Sequence, residues 1–255
     1  MTTIRLEHEG TSALIRLDKG RGNAIDPALV GDLLKAVREV GADDRVRGVL
    51  LGSAHPKLFC PGLDLVTLIE MDRPALAGFM ARFAELVMAL YALPKPLIAA
   101  VSGHAVAGGC VLALTADWRI VARGAQIGLN EVKVGVPLPW SVALLLKATV
   151  SPSALTRVAL LGRNASGDEA VAIGLADELV DAEALEGTCR SRLAEFAEKD
   201  ARAVATTKRY LRASILAEMG AHEAARASEF LDGWFSQGTQ ERIREIVSSL
   251  GRSAI

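Results

Sequence analysis

The sequence is short of most features that announce a site. Its 255 residues include 4% aromatics, three cysteines and four histidines, and 29 Lys and Arg against 30 Asp and Glu leave a net charge of −1. A chain this close to neutral has no field to gather nucleic acid or an anionic membrane, so neither is expected as a partner. Cys60, Cys110 and Cys189 are odd in number and widely spaced, which suits reduced packing residues and a cytoplasmic protein. The N-terminus alternates like a strand without an apolar signal core. The longest apolar run, around Ala105 to Ala116, is too short to span a bilayer, so neither export nor a membrane span is expected.

Three kinds of chemistry lack their motifs. His8, His55, His104 and His222 are scattered, with no short-spaced cluster that would hold a metal. No G-x-S-x-G elbow surrounds Ser53, Ser102 or Ser141, which removes the usual serine hydrolase turn. Gly103, Gly108 and Gly109 suggest a phosphate loop, but no Lys-Ser/Thr pair follows and the spacing is not G-x-G-x-x-G. No nucleotide cofactor or metal is expected.

What is present is apolar: 51% of the residues, enough for one large core plus a helical appendage. Ile4 to Glu9 and Ala13 to Asp18 alternate around Gly10 as a hairpin, and Asp26 with Pro27 starts a helix with Leu29, Leu33, Leu34, Val37 and Val40 on one face. Gly48 to Gly52 and Pro96 to Val101 read as buried strands on either side of a helix from Pro74 to Leu93, a right-handed crossover. Gly103 to Thr115 reads as a glycine-rich loop entering a helix, followed by short strands at Trp118 to Ala122 and Gln126 to Leu129. From Trp140 the pattern is mostly helical, with one strand at Ala176 to Val180 and amphipathic segments from Ala182 to Leu250. We divide the chain into a core of residues 1–195 and a helical region of residues 196–255.

Two segments share a design in which an apolar strand leads to a glycine turn and a helix. They are Leu58-Phe-Cys60-Pro61-Gly62-Leu63-Asp64-Leu65 and Ser102-Gly-His-Ala-Val-Ala-Gly108-Gly109-Cys110. N–H groups at a helix start are unpaired and sit at the positive end of its dipole, so the two turns can aim donors at one anionic oxygen. The ordinary alternative is that these glycines serve tight turns and close packing.

The segments Pro61-Gly-Leu-Asp-Leu65, Lys95-Pro-Leu-Ile-Ala-Ala-Val-Ser-Gly103, Ala107-Gly-Gly-Cys110 and Ile127-Gly-Leu-Asn-Glu131, in this order and spacing, resemble the enoyl-CoA hydratase/isomerase (crotonase) family. The likeness continues through Gly162 and the stretch Ala170 to Val180. It implies an α/β fold with a crotonase-type ββα spiral core and a C-terminal helical trimerisation region, hence a homotrimer or hexamer. It also implies an acyl-CoA thioester substrate, with coenzyme A part of the substrate and no separate cofactor. Leu63 and Gly108 match the family's two backbone donors to the thioester oxygen. Cys60, Pro61, Gly62, Leu63 and Asp64, with Gly108, match the turns against which CoA lies. Asp64 itself we read as a helix cap. Lys208, Arg209 and Arg212 are candidates for the CoA phosphates, against the alternative of a solvated basic helix face.

The carboxylates separate the activities within the family. Its hydratases use two glutamates; the position of the first is Val111 here and that of the second is Glu131. The extra acid of its dienoyl-CoA isomerases falls at Pro139. The pattern is most similar to monofunctional Δ3-Δ2-enoyl-CoA isomerases, in which one carboxylate carries the proton. Apolar neighbours Val111, Leu129, Pro137 and Trp140 are expected to raise the pKa of Glu131 by desolvation. Alternatives are a hydratase or other enolate enzyme with a different second acid, or a non-catalytic acyl-CoA binding protein.

Overall fold

The computed structural model describes residues 2–20 and 22–252, with the side chains of residues 251 and 252 left undescribed. The hairpin is present as strands β1 (Ile4–Glu9) and β2 (Ser12–Leu17), paired antiparallel across a turn in which Gly10 takes φ +57°. Asp26 then caps helix α1 (Pro27–Ala42) by accepting the Leu29 N–H at 2.9 Å, a contact worth about 1 kcal/mol. All five apolar positions expected on one face of α1 are buried.

The core is a spiral of strand pairs. Each turn lays one strand in a large sheet, a short strand in a second sheet, and then a helix. The first turn is β3 (Gly48–Ser53), β4 (Leu58–Cys60), α2 (Leu65–Leu68) and α3 (Arg73–Tyr91). The second is β5 (Leu97–Val101), β6 (His104–Val106) and α4 (Gly108–Leu114). The third is β7 (Trp118–Ala122), β8 (Gln126–Gly128), α5 (Glu131–Val134) and α6 (Trp140–Thr149). The chain continues through β9 (Ala165–Ser166), α7 (Gly167–Ala172), β10 (Glu178–Val180) and α8 (Leu185–Ala197) to the long α9 (Ala201–Trp234) and α10 (Gln237–Arg252). The large sheet runs β1-β2-β3-β5-β7-β10, parallel beyond the first hairpin; the small one runs β4-β6-β8-β9.

Two sequence expectations are corrected. The glycine turns do not join strand directly to helix, because β4 and β6 intervene. At three residues each, they are too short to show a period of two. Glycine is required where they cross: a Cβ on Gly103 would lie 1.9 Å from the Lys57 carbonyl carbon, and one on Gly109 2.0 Å from the Cys60 oxygen. Helix α3 also begins one residue early, at Arg73, where Asp72 accepts the Ala75 N–H.

Among the described residues α3 is the one helix with the length and apolarity to cross a bilayer, and half of that apolar window is buried within the protein. It packs between α1 and α9, while α10 lies against α2 and α5. The apolar faces of α9 and α10 are thereby brought back over the spiral.

Candidate active site

After β4 the chain reaches Gly62, whose φ of +106° is open to glycine and strained for other residues. Ile25 then fixes the direction of the next peptides. Its N–H donates to the Gly62 oxygen and its oxygen accepts the Asp64 N–H, both at 2.8 Å. Successive extended residues point their amides to opposite sides, so the Leu63 N–H faces away from Ile25. Asp64 caps α2, accepting the Thr67 N–H at 3.3 Å, and its other oxygen lies 3.2 Å from Lys19 Nζ. Cys60 is buried with its Sγ 3.2 Å from the Asn23 oxygen, and burial pushes its thiol up to about 12.

The second turn ends on Ala107, which has φ +49° and ψ −124°, an unusual backbone for alanine and one tied down by its N–H to the Gly128 oxygen at 2.8 Å. This conformation starts α4 at Gly108. A Cβ on Gly62 would meet Ala107 Cβ at 2.8 Å and Gly108 N at 3.2 Å, so the two turns touch. Neither Leu63 N–H nor Gly108 N–H has a protein acceptor among the described residues, and both residues line one cavity of about 700 Å³. That volume is in the ordinary range of small-molecule sites.

Glu131 opens α5 and lines the same cavity. Asn130 does not cap the helix with its side chain. The residue is half-buried, but its Oε2 is sealed from solvent and has no hydrogen-bond partner. Burial raises the carboxyl to about 7, against a smaller opposing pull from the N–H groups of Glu131 and Asn130. The turn of helix is pinned behind it, where Gly135 closes α5 with φ +104° and Thr239 Oγ1 of α10 donates to the Gly135 oxygen at 3.0 Å.

The wall around Glu131 differs in part from expectation. Val111 faces the cavity, but Leu129 is buried elsewhere in the core, and Pro137 packs on Gly233. Trp140 turns away beneath the Arg226 guanidinium. Val136, Pro139 and Val142 take their places, joined by Phe230 and Trp234 from α9 and by Ile246 from α10. The last three were not legible, because residues about a hundred positions from Glu131 give no local signal.

The basic candidates also divide. Lys208 Nζ lies 2.6 Å from Asp117 Oδ2 and 2.8 Å from the Lys95 oxygen, and Arg212 lies 2.7 Å from Asp117 Oδ1. Both are committed inside the protein, and Arg209 stacks on Tyr210. None of the three lines the cavity.

The sequence matches the family model described as enoyl-CoA hydratase/isomerase over residues 7–243. The chain belongs to the enoyl-CoA hydratase/isomerase family. It is 29% identical over 211 residues to human mitochondrial enoyl-CoA delta isomerase 1, covering 82% of this chain and 70% of that protein. To carnitinyl-CoA dehydratase of Proteus mirabilis it is 30% identical over 212 residues, covering 83% and 81%. Among solved structures, human mitochondrial delta3-delta2-enoyl-CoA isomerase superposes with a TM-score of 0.94 at 26% identity, covering 98% and 99% of the two chains. The fold is the crotonase fold, and an acyl-CoA substrate and enoyl-CoA isomerase or hydratase chemistry follow from the family.

Proposed function

We propose that this enzyme moves the double bond of an enoyl-CoA from C3 to C2, with Glu131 shuttling the proton. The observation that carries the reading is the single uncommitted carboxylate of the cavity. Of the two acids on its wall, Asp64 is occupied by Thr67 and Lys19, and Glu131 alone has an oxygen without a partner. Val111, where a second acid would orient a water, is apolar and buried.

The chemistry requires no more. Glu131 takes a proton from C2, the electrons of that C–H bond spread through C1 onto the thioester oxygen and through the C3–C4 double bond onto C4, and the protonated Glu131 returns the proton at C4, which leaves the double bond between C2 and C3. A base near pKa 7 is matched to neutral pH in both directions. The Leu63 and Gly108 N–H groups, free and adjacent, would receive the oxygen as it gains charge. An apolar wall keeps out the water that would otherwise add across the double bond.

The test is the ultraviolet absorbance of the conjugated thioester. A 3-enoyl-CoA should gain absorbance and a 2-enoyl-CoA should hold it. Bleaching of the second would make the protein a hydratase, and no change in either would leave an acyl-CoA binder.

A further inference from the structure

The catalytic cavity has an open end and a sealed one. Val66 and Leu250 on its rim are 51% and 55% exposed, whereas Val142, Phe230 and Trp234 on its wall are 1%, 4% and 1% exposed. Coenzyme A is large and charged, so it extends through the open end, and the acyl group faces the sealed one. For a plain hydrocarbon chain the sealed end would need only apolar atoms. It also holds a hydrogen-bond donor.

Trp234, the last residue of α9, carries an indole Nε1–H that is sealed from solvent and has no hydrogen-bond partner among the described residues. Its ring is held in place. It stacks on Phe230 with centroids 6.1 Å apart, and its backbone oxygen accepts Gln240 Nε2 at 2.9 Å, which ties the end of α9 to α10. Burying a donor without an acceptor is a standing cost, and folded proteins seldom leave one unmet. A phenyl ring, such as Phe230 supplies one turn earlier, would cover the cavity without that cost.

An indole can only donate, so its missing partner is an acceptor. Glu131 Oε2 on the same wall is likewise unpartnered, so the two are not bonded to each other, and the occupant of the cavity is left to supply the acceptor. We propose that Trp234 Nε1–H receives an oxygen of the acyl group, so that the substrate class is an enoyl-CoA whose chain carries a keto or hydroxyl oxygen beyond C4. A trapped water would meet the donor for every acyl chain alike and give no such preference. That the chain is an enoyl one reacting between C2 and C4 rests on the isomerase reading above; that the cavity reads an oxygen does not.

The probes are octanoyl-CoA and its 5-, 6- and 7-oxo derivatives, which have no double bond to move, with binding measured by calorimetry. Trp234→Phe should weaken one oxo isomer, the one whose oxygen falls at the indole, by about three- to tenfold relative to octanoyl-CoA. Equal effects on all four ligands, or none, would overturn the proposal. The indole N–H resonance of Trp234 gives a second readout that does not depend on that variant folding. The chain has three tryptophans, so Trp118→Phe and Trp140→Phe single the signal out by elimination. It should move with the favoured oxo isomer and not with octanoyl-CoA; the same movement with both, or with neither, would also overturn the proposal. Turnover of 3-octenoyl-CoA and its oxo counterpart is followed in parallel: absence of both would sink the isomerase reading, while the binding ratios would still decide the role of Trp234.

Discussion

Asp117, just before β7, is surrounded by partners, whereas Glu131, at the start of α5, has one oxygen with none. Asp117 accepts the Leu97 N–H at 2.7 Å and is clasped by Lys208 and Arg212, which tie α9 to the large sheet. Both cations also reach carbonyl oxygens, Lys208 that of Lys95 and Arg212 that of Tyr91 at 2.6 Å. A carboxylate so enclosed holds structure. Glu131 is raised to about 7 by burial, so it exchanges its proton readily at neutral pH. The difference lies in the partners provided, since both acids are largely withdrawn from water.

The strongest way to break this contrast is Glu131→Gln, which keeps the shape and removes the proposed base. Isomerisation should fall by about 10²–10⁴ while CoA affinity stays close to normal. In the unmodified enzyme kcat/KM should rise to a plateau above about pH 7, since the base must be ionised in the free enzyme. Stability carries the opposite sign. The folded-state pKa lies above the unfolded 4.5, so the folded chain binds the proton more tightly and this group's stabilisation is lost as pH rises from about 4.5 to 7. The Gln variant escapes that loss, and its Tm advantage over the parent should grow across the same window. A Tm difference independent of pH would show that Glu131 titrates as an ordinary carboxylate.

Asp117→Ala attacks the other side. It strands Lys208 and Arg212 in the interior, and breaking a buried pair in this way costs about 3–5 kcal/mol, to be read from denaturant midpoints. Lys208, already held down to about 8 by burial, can shed its proton in response. The loss should therefore shrink at alkaline pH, and the pH midpoint of turnover should not move. A shifted midpoint would mean that the two acids are coupled.

A third substitution tests the backbone donors between these regions. Ala at Gly62 would adopt φ +106° with strain and press its Cβ against Ala107 and the Gly108 nitrogen. Separating the turns should cost up to about 10²–10³ in kcat, the usual effect of one lost oxyanion donor, with KM changing less. Equal turnover would remove the donor pair from the mechanism.

The sequence disclosed the large sheet, α1, α3 and the lone glutamate, because buried parallel strands read as apolar runs and long helices repeat their period several times. It also disclosed Leu63, Gly108 and Val111 through the likeness of four motifs. Of the small sheet only β8 was legible, as the short strand read at Gln126 to Leu129; β4, β6 and β9, two or three residues long, were not. The depth of Glu131 was anticipated, but from partly mistaken neighbours: Pro137 and Trp140 are close in sequence, while the cavity wall is made by Val136, Pro139 and Val142 and, from far along the chain, by Phe230, Trp234 and Ile246. Lys208 and Arg212 looked like a solvated basic face, since nothing local reveals that Asp117, about ninety residues earlier, lies beneath them.

The smallest expected effect comes from Asp64, which shares the cavity wall with Glu131 and also stands at a helix start. Asp64→Asn keeps an oxygen to accept the Thr67 N–H and removes only the attraction to Lys19, which retains Asp26 at 2.8 Å. The pair is partly exposed, so its loss should cost no more than about 1 kcal/mol, or roughly 2–4 °C in Tm for a chain of this size. The pH midpoint of kcat/KM should stay where Glu131 sets it. If it moved, Asp64 would be contributing to the field at the base, and the line between an acid that holds structure and an acid that carries protons would run through the cavity rather than around it.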